Sequence, residues 1–130
     1  MTLLLDTSIL IDLERRWEPT LMKLRELSQL HPLPATITFR NWFEFELGIK
    51  ERAVRNQEQA LQFLSSFSVL NTTVKTAPIL AELKHNYDRK GISLSWADLL
   101  IASLALENNV TVVSKDRDFE HIEEIKKVIL

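Results

Sequence analysis

The chain has 130 residues, 45% of them hydrophobic and 26% charged, with a formal net charge of −2 at pH 7. That is one globular domain by length, and the composition excludes a disordered chain or one with a large basic face. The lack of cysteine excludes a disulfide framework, thiolate metal sites and cysteine nucleophiles, and it fits a reducing compartment.

Leu3-Leu4-Leu5 is a short apolar run that ends at once in Asp6. No signal peptide is read there, so a cytoplasmic location is expected. No segment approaches the roughly 20 apolar residues of a membrane span. The three leucines read as a buried strand. Thr7 or Ser8 then caps a short helix carrying Ile9, Leu10 and Leu13. A second helix starts near Pro19 with Leu21, Leu24 and Leu27 as its stripe, and His31-Pro32-Leu33-Pro34 ends it.

Ala35-Thr36-Ile37-Thr38-Phe39 is rich in β-branched residues and reads as a strand, followed by a helix from Asn41 to about Arg52. Asn56 with Gln59 resembles a capping box, opening a helix with Ala60, Leu61, Phe63, Leu64 and Phe67 inside. Val69-Leu70 is a short third strand. Thr76 and Pro78 start the next helix, with Leu80, Leu83 and Tyr87 inward and Gly91 as its stop. Ser95 caps a helix from Trp96 to about Glu107. Val110-Thr111-Val112-Val113 is the clearest strand, Ser114 to Glu120 a loop or short helical turn, and Val128-Ile129-Leu130 a last edge strand. Strands alternating with helices imply an α/β fold with a mostly parallel sheet covered on both faces, and a single domain over residues 1–130.

In such folds ligands sit at the C-terminal ends of the strands, where the strand order switches. The acids fall there. Asp6 ends the first strand, Asp116 follows the fourth, Glu44 lies in the helix after the second, and Asp98 lies in the first turn of the helix feeding the fourth. The helix around Asp98 is apolar on nearly every side, so it is buried and Asp98 is its odd charge. The plain alternative is that Asp98 completes a capping box with Ser95. Glu44 and Glu46 point to nearly opposite sides of one helix, so only one faces the site. Glu44 shares a face with Gly48, where close approach of a neighbouring backbone is expected, and is preferred. Asp118 is a further loop acid.

These residues resemble the PIN-domain nucleases, and within them the small VapC-type ribonuclease toxins of toxin–antitoxin pairs. The matching segments are Leu5-Asp6-Thr7-Ser8-Ile9-Leu10-Ile11-Asp12, Phe43-Glu44-Phe45-Glu46-Leu47-Gly48, Trp96-Ala97-Asp98-Leu99-Leu100-Ile101-Ala102 and Val112-Val113-Ser114-Lys115-Asp116-Arg117-Asp118-Phe119. They run in order across nearly the whole chain. Phe45 stands where leucine is usual and Ser114 where threonine is usual; neither change removes an acid. The resemblance implies a three-layer α/β/α fold, a divalent-metal site and endoribonuclease activity. It also implies a homodimer bound by a small antitoxin whose C-terminal segment covers the acidic groove. By position it assigns the acidic site to Asp6, Glu44, Asp98 and Asp116, with Asp118 as a less uniform addition and Ser8 and Ser114 as polar supports.

The chemistry fits those residue types. Hard cations prefer carboxylate oxygens, and His31, His85 and His121 have no metal-binding spacing, so magnesium or manganese is favoured over zinc. Two carboxylates about 5 Å apart repel by roughly 3 kcal/mol at an effective dielectric near 20, so such a cluster calls for a cation or a proton. Asp6, Asp98 and Asp116 are expected to hold metal directly or through water, with Glu44 as second ligand or water orienter. An RNA substrate needs cations to guide its backbone. Lys50, Arg52, Arg55, Arg89 and Lys90 are candidates, and Lys115 and Arg117, which flank Asp116, are preferred. Trp17, Trp42 and Trp96 can stack bases, although core or dimer packing is the commoner use of tryptophan. A PIN-like module that binds RNA or a partner without cleaving it is the alternative.

Overall fold

Three consecutive leucines can be buried together only if both faces of their strand are covered, and that is how the chain is built. A computed structural model describes residues 2–30 and 34–130. Strand β1 (Leu3–Leu5) lies at the centre of a five-stranded sheet ordered β3-β2-β1-β4-β5. Its partners are β2 (Thr36–Thr38) and β4 (Thr111–Ser114), with β3 (Ser68–Leu70) and β5 (Lys127–Ile129) at the edges. Every pairing is parallel. The central register is Leu3↔Thr111, Leu4↔Val112 and Leu5↔Val113.

Among the described residues six helices make the connections: α1 (Thr7–Glu14), α2 (Glu18–Leu30), α3 (Phe39–Lys50), α4 (Val54–Ser65), α5 (Thr76–Arg89) and α6 (Trp96–Asn108). The two-residue alternation of a strand divides the leucines. Leu3 and Leu5 share a core with Ile9, Leu10, Phe45 and Leu64, while Leu4 packs with Leu83, Tyr87, Leu99 and Ile101. The result is the expected three-layer α/β/α arrangement. Removing the side chain of Leu4, which is fully buried, would cost about 3 kcal/mol.

Several local expectations are corrected. Residue Asp6, rather than Thr7 or Ser8, is the N-cap of α1, and its side chain makes no cap bond. The second strand is shorter than expected, because Phe39 already starts α3; that helix stops at Lys50. Its early start has a cause: Thr38 and Asn41 form a reciprocal capping box. The Asn56–Gln59 box does not form, since α4 begins at Val54 with Ala53 as N-cap and no side-chain cap bond. Leu61, expected inside, is exposed. Gly48 meets no neighbour: a Cβ built there would have no heavy atom within 4 Å. Two other local expectations hold: Gly91 has a positive φ of 73° just after α5, and Ser95 accepts from the Asp98 amide at the start of α6. Of the segment expected to end the second helix, His31, Pro32 and Leu33 lie outside the described residues.

Candidate functional site

From β1 the strand order runs outward through β2 to β3, and then resumes on the other side of β1 with β4 and β5. The switch therefore falls between β1 and β4, and a crevice opens beyond their C-terminal ends. Asp6 leaves β1 in extended conformation, and its amide donates to the Val113 carbonyl at 3.0 Å, which continues the ladder by one residue. Its side chain is thus fixed at the mouth of the crevice. One carboxylate oxygen accepts from the Asn41 side-chain amide at 3.1 Å and the other from the Ser114 hydroxyl at 2.7 Å.

Ser114 then connects to the next acid. Its oxygen accepts from the Asp116 amide at 2.9 Å, and Asp116 caps a 3-10 turn (Arg117–His121) by accepting from the Asp118 amide at 2.9 Å. Ser8 accepts from the Lys115 amide at 3.3 Å. Both serines expected to support the site therefore bond the segment after β4.

Asp98 is buried in the first turn of α6. The Ser95 hydroxyl receives the Asp98 amide at 3.0 Å, so the cap expected from sequence is present while the carboxylate faces other acids. Oxygens of Asp98, Asp116 and Asp118 lie within 4.8 Å of one another. Burial is the main cause that pushes the Asp98 carboxyl above its usual range, and the charges of Asp116 and Asp6 add to it; the Ser95 hydroxyl and Arg40 pull the other way. Among the described residues, the close group does not include Asp6 or Glu44. Asp118 is drawn into the group, and Asp6 stands behind it, joined through Ser114.

Glu44 reaches the site differently. Thr7 donates to one of its oxygens at 2.8 Å, and Arg40, one turn earlier on α3, pairs with the other at 3.2 Å. The same guanidinium lies 3.7 Å from an Asp98 oxygen. Glu46, on the other side of the helix, accepts from the Trp42 indole at 3.0 Å. Of the two glutamates, Glu44 is the one beside the crevice.

As site residues, Arg40, Asn41 and Thr7 escaped the sequence reading. Asn41 is fully buried, and its oxygen accepts from both the amide and the hydroxyl of Thr38. The signal was present as Thr38-Phe39-Arg40-Asn41, a threonine with an amide three residues on, which is a helix-start pattern. Conversely, the preferred RNA-guiding cations are engaged within the chain. Lys115 pairs with Asp12, which also accepts from Thr20, and Arg117 pairs with Glu120 at 2.8 Å. Arg52 pairs with Glu14, and Lys90 sits 5.0 Å from the centre of the Tyr87 ring.

Beside the acids runs an apolar groove of about 460 Å³, whose lining includes Phe39, Arg40, Phe43, Glu44, Trp96 and Leu100. Phe39, Phe43 and Trp96 are each more than half exposed. The donor set at the crevice fits a hard divalent cation: three carboxylates converge, one of them buried, and neither thiolate nor imidazole stands among them. No helix of the described chain is long and apolar enough to cross a membrane.

Known proteins resemble this chain in sequence and in fold. Ribonuclease VapC2 of Rickettsia felis is 29% identical over 82 residues, which span 61% of this chain and 61% of that relative. The crystal structure of VapBC2 from Rickettsia felis, bound to a DNA fragment from their promoter, matches with a TM-score of 0.81 at 23% identity, covering 100% of this chain and 99% of the other. VapBC-1 from nontypeable Haemophilus influenzae matches with a TM-score of 0.79 at 22% identity, covering 99% and 98%. DNA-bound VapBC from Salmonella typhimurium matches at 0.77 and 24%, covering 99% and 98%. At that level of identity these structures speak for the fold. The PIN domain family profile matches residues 3–125, from the first strand past the last of the clustered acids, and the chain belongs to the PIN domain family.

Proposed function

We propose that this protein is a metal-dependent endoribonuclease that hydrolyses RNA phosphodiester bonds with Mg²⁺ or Mn²⁺, and that it is the toxin of a toxin–antitoxin pair. The observation that carries the reading is the convergence of Asp98, Asp116 and Asp118 beyond the ends of β1 and β4, with Asp6 fixed behind them. Asp98, Asp116 and Asp118 would hold the ion, with Asp6 and Glu44 close by. When bound, the ion supplies an activated water and neutralises charge developing on the phosphate.

The chain's own groups do the rest. Asn41 and Ser114 hold both oxygens of Asp6, so this carboxylate stays oriented. Thr7 and Arg40 hold Glu44 at the edge of the crevice, where its carboxylate orients a water or accepts its proton. The first turn of α6 presents Asp98 as its buried member, beside the exposed Trp96. Lys115 serves this site mainly by bracing the loop through Asp12, and Arg117 remains exposed enough to meet a phosphate backbone.

The toxin part is supported by the likeness to a protein named Ribonuclease VapC2 and by the apolar groove beside the acids. A homodimer, a cognate antitoxin whose segment covers the groove, and a cytoplasmic setting belong to this reading. An exposed aromatic surface next to a catalytic crevice is what such a partner would cover.

The test is incubation of the purified protein with single-stranded and structured RNAs in Mg²⁺, Mn²⁺ or excess chelator. Cleavage with metal and none with chelator is expected. Binding of RNA without cleavage under every condition would favour the non-cleaving module. Light scattering and co-expression with the product of a neighbouring gene test the dimer and the antitoxin.

A further inference from the structure

The geometry points to Arg40 as a cation tethered by Glu44 that competes with a divalent ion for Asp98. The inference rests on the metal-dependent reading above and adds an internal competitor to it. Arg40 extends from the first turn of α3 and places one guanidinium nitrogen 3.2 Å from Glu44 and another 3.7 Å from Asp98. Asp98 is the buried member of the three-carboxylate group, so the guanidinium and an ion draw on the same side chain. An arginine keeps its charge at every working pH, so it cannot yield by losing a proton. It has to move.

The surroundings allow that movement. The Arg40 side chain is partly exposed and lines the groove with Phe39, Phe43 and Trp96. Glu44 keeps one of its two holds when Arg40 leaves, because Thr7 donates to its other oxygen. The cation-free site is then closed by the protein's own charge. In the loaded site the guanidinium is displaced toward the groove, next to where a phosphodiester strand would enter. A cation fixed on the same helix as Glu44 thus makes metal loading and release of Arg40 one event.

The test is Mn²⁺ binding to the whole chain by calorimetry, with wild type, Arg40→Gln and Arg25→Gln as a control for net charge. Arg25 lies on α2 in an exposed pair with Glu18. The expected result is Mn²⁺ affinity about tenfold tighter in Arg40→Gln, the scale of one unit charge acting on a divalent ion at short range in a partly solvated site, with Arg25→Gln unchanged. Equal affinity in wild type and folded Arg40→Gln overturns the inference and leaves the metal reading standing. Absence of Mn²⁺ binding in both overturns the two together. A measurement on wild type covers the case in which Arg40→Gln fails to fold. Titration with Mg²⁺ followed by NMR of the arginine Nε–H groups should move the Arg40 signal as the site fills, and an unmoved signal at saturation overturns the inference.

Discussion

The Asn41 side-chain amide donates to the Asp6 carboxylate at 3.1 Å and so ties the first turn of α3 to the end of β1. The same group bonds the Thr7 hydroxyl, while its oxygen receives Thr38. Asn41→Ala would leave one buried carboxylate oxygen and one buried amide without partners. A loss of about 2–4 kcal/mol in stability is expected, read as a lower midpoint in urea unfolding. Asn41→Asp should be worse, since it sets a second carboxylate against Asp6. An unchanged midpoint in both variants would show that the link is not structural.

Glu44 and Glu46 differ in what they face. Glu44 meets Thr7 and Arg40 at the crevice, whereas Glu46 meets the Trp42 indole. Glu44→Gln should lower RNA cleavage by roughly tenfold or more, and Glu46→Gln should change it little. Cleavage assays under single-turnover conditions separate the two. Equal losses would mean that both act through the stability of α3 rather than through the site.

The pH dependence has two opposing parts. Burial raises the folded pKa of Asp98 above its ordinary 3.8, so the native state binds the extra proton. Its contribution to stability is complete below 3.8 and is lost as pH rises through the raised value. Glu14 has its pKa lowered, chiefly by its hydrogen bond with Arg52. At Asp12 burial is outweighed by the bonds from Lys115 and Thr20, and its pKa is lowered too. Their contributions are present above 4.5 and 3.8, and are lost as pH falls through the lowered values. Metal-free Asp98→Asn should therefore be no less stable than wild type near neutral pH. Metal should stabilise wild type by RT ln(1 + [M]/Kd) and the variant far less. The same variant should lose roughly a hundredfold in cleavage. Thermal unfolding from acid to neutral pH, with and without Mn²⁺, checks the stability part. Strong destabilisation of the metal-free variant would reduce Asp98 to a helix-start residue.

Phe43 is half exposed on the groove side of α3, one turn from Leu47, which is also exposed. Phe43→Asp should leave the thermal midpoint within a few degrees of wild type, because a surface change away from the core costs little. It should weaken association with the proposed partner by at least tenfold, since an aromatic anchor carries binding energy that a carboxylate reverses. Co-purification and titration of the partner test it. Unaltered association would move the interface away from this groove.

Lys115 provides a contrast. Its pairing with the half-buried Asp12 makes it a brace between the loop after β4 and α1. Lys115→Met should cost about 1 kcal/mol of stability, the upper end for a pair with one exposed partner. The salt dependence of RNA binding should barely change. A marked drop in that dependence would restore Lys115 as a phosphate contact.

Much of this architecture could be read from residue patterns, for identifiable reasons. Three leucines followed by Asp6, and an apolar helix broken by Asp98, are patterns that burial alone explains, and they placed two acids at strand and helix ends. The sequence could not reveal which acids converge. Asp118 joins Asp98 and Asp116 because the Asp116 cap folds the backbone into a 3-10 turn, and a five-residue turn leaves no periodicity to read. Arg40 was invisible for another reason: its role depends on Asp98, 58 positions away, and only the folded sheet brings the first turns of α3 and α6 within reach of each other. The Asn56–Gln59 pattern misled because local capping chemistry is short-range and common, and the chain entered that helix three residues earlier.

The pairing of β1 with β4 joins Leu3 to Thr111 and brings Asp6 to Ser114. Almost the whole chain lies between those partners. A ribosome must therefore release the segment through Asp118 before the crevice can form, and closing so long a loop adds its own delay to folding. Until then the nascent polypeptide carries Asp6 and Glu44 on an unfinished sheet, without the acids that complete the set. If the proposed nuclease activity holds, the order of synthesis itself keeps that activity back until the end. A chain cut short before Asp116 would lack the completed acidic crevice, whatever else of it folds.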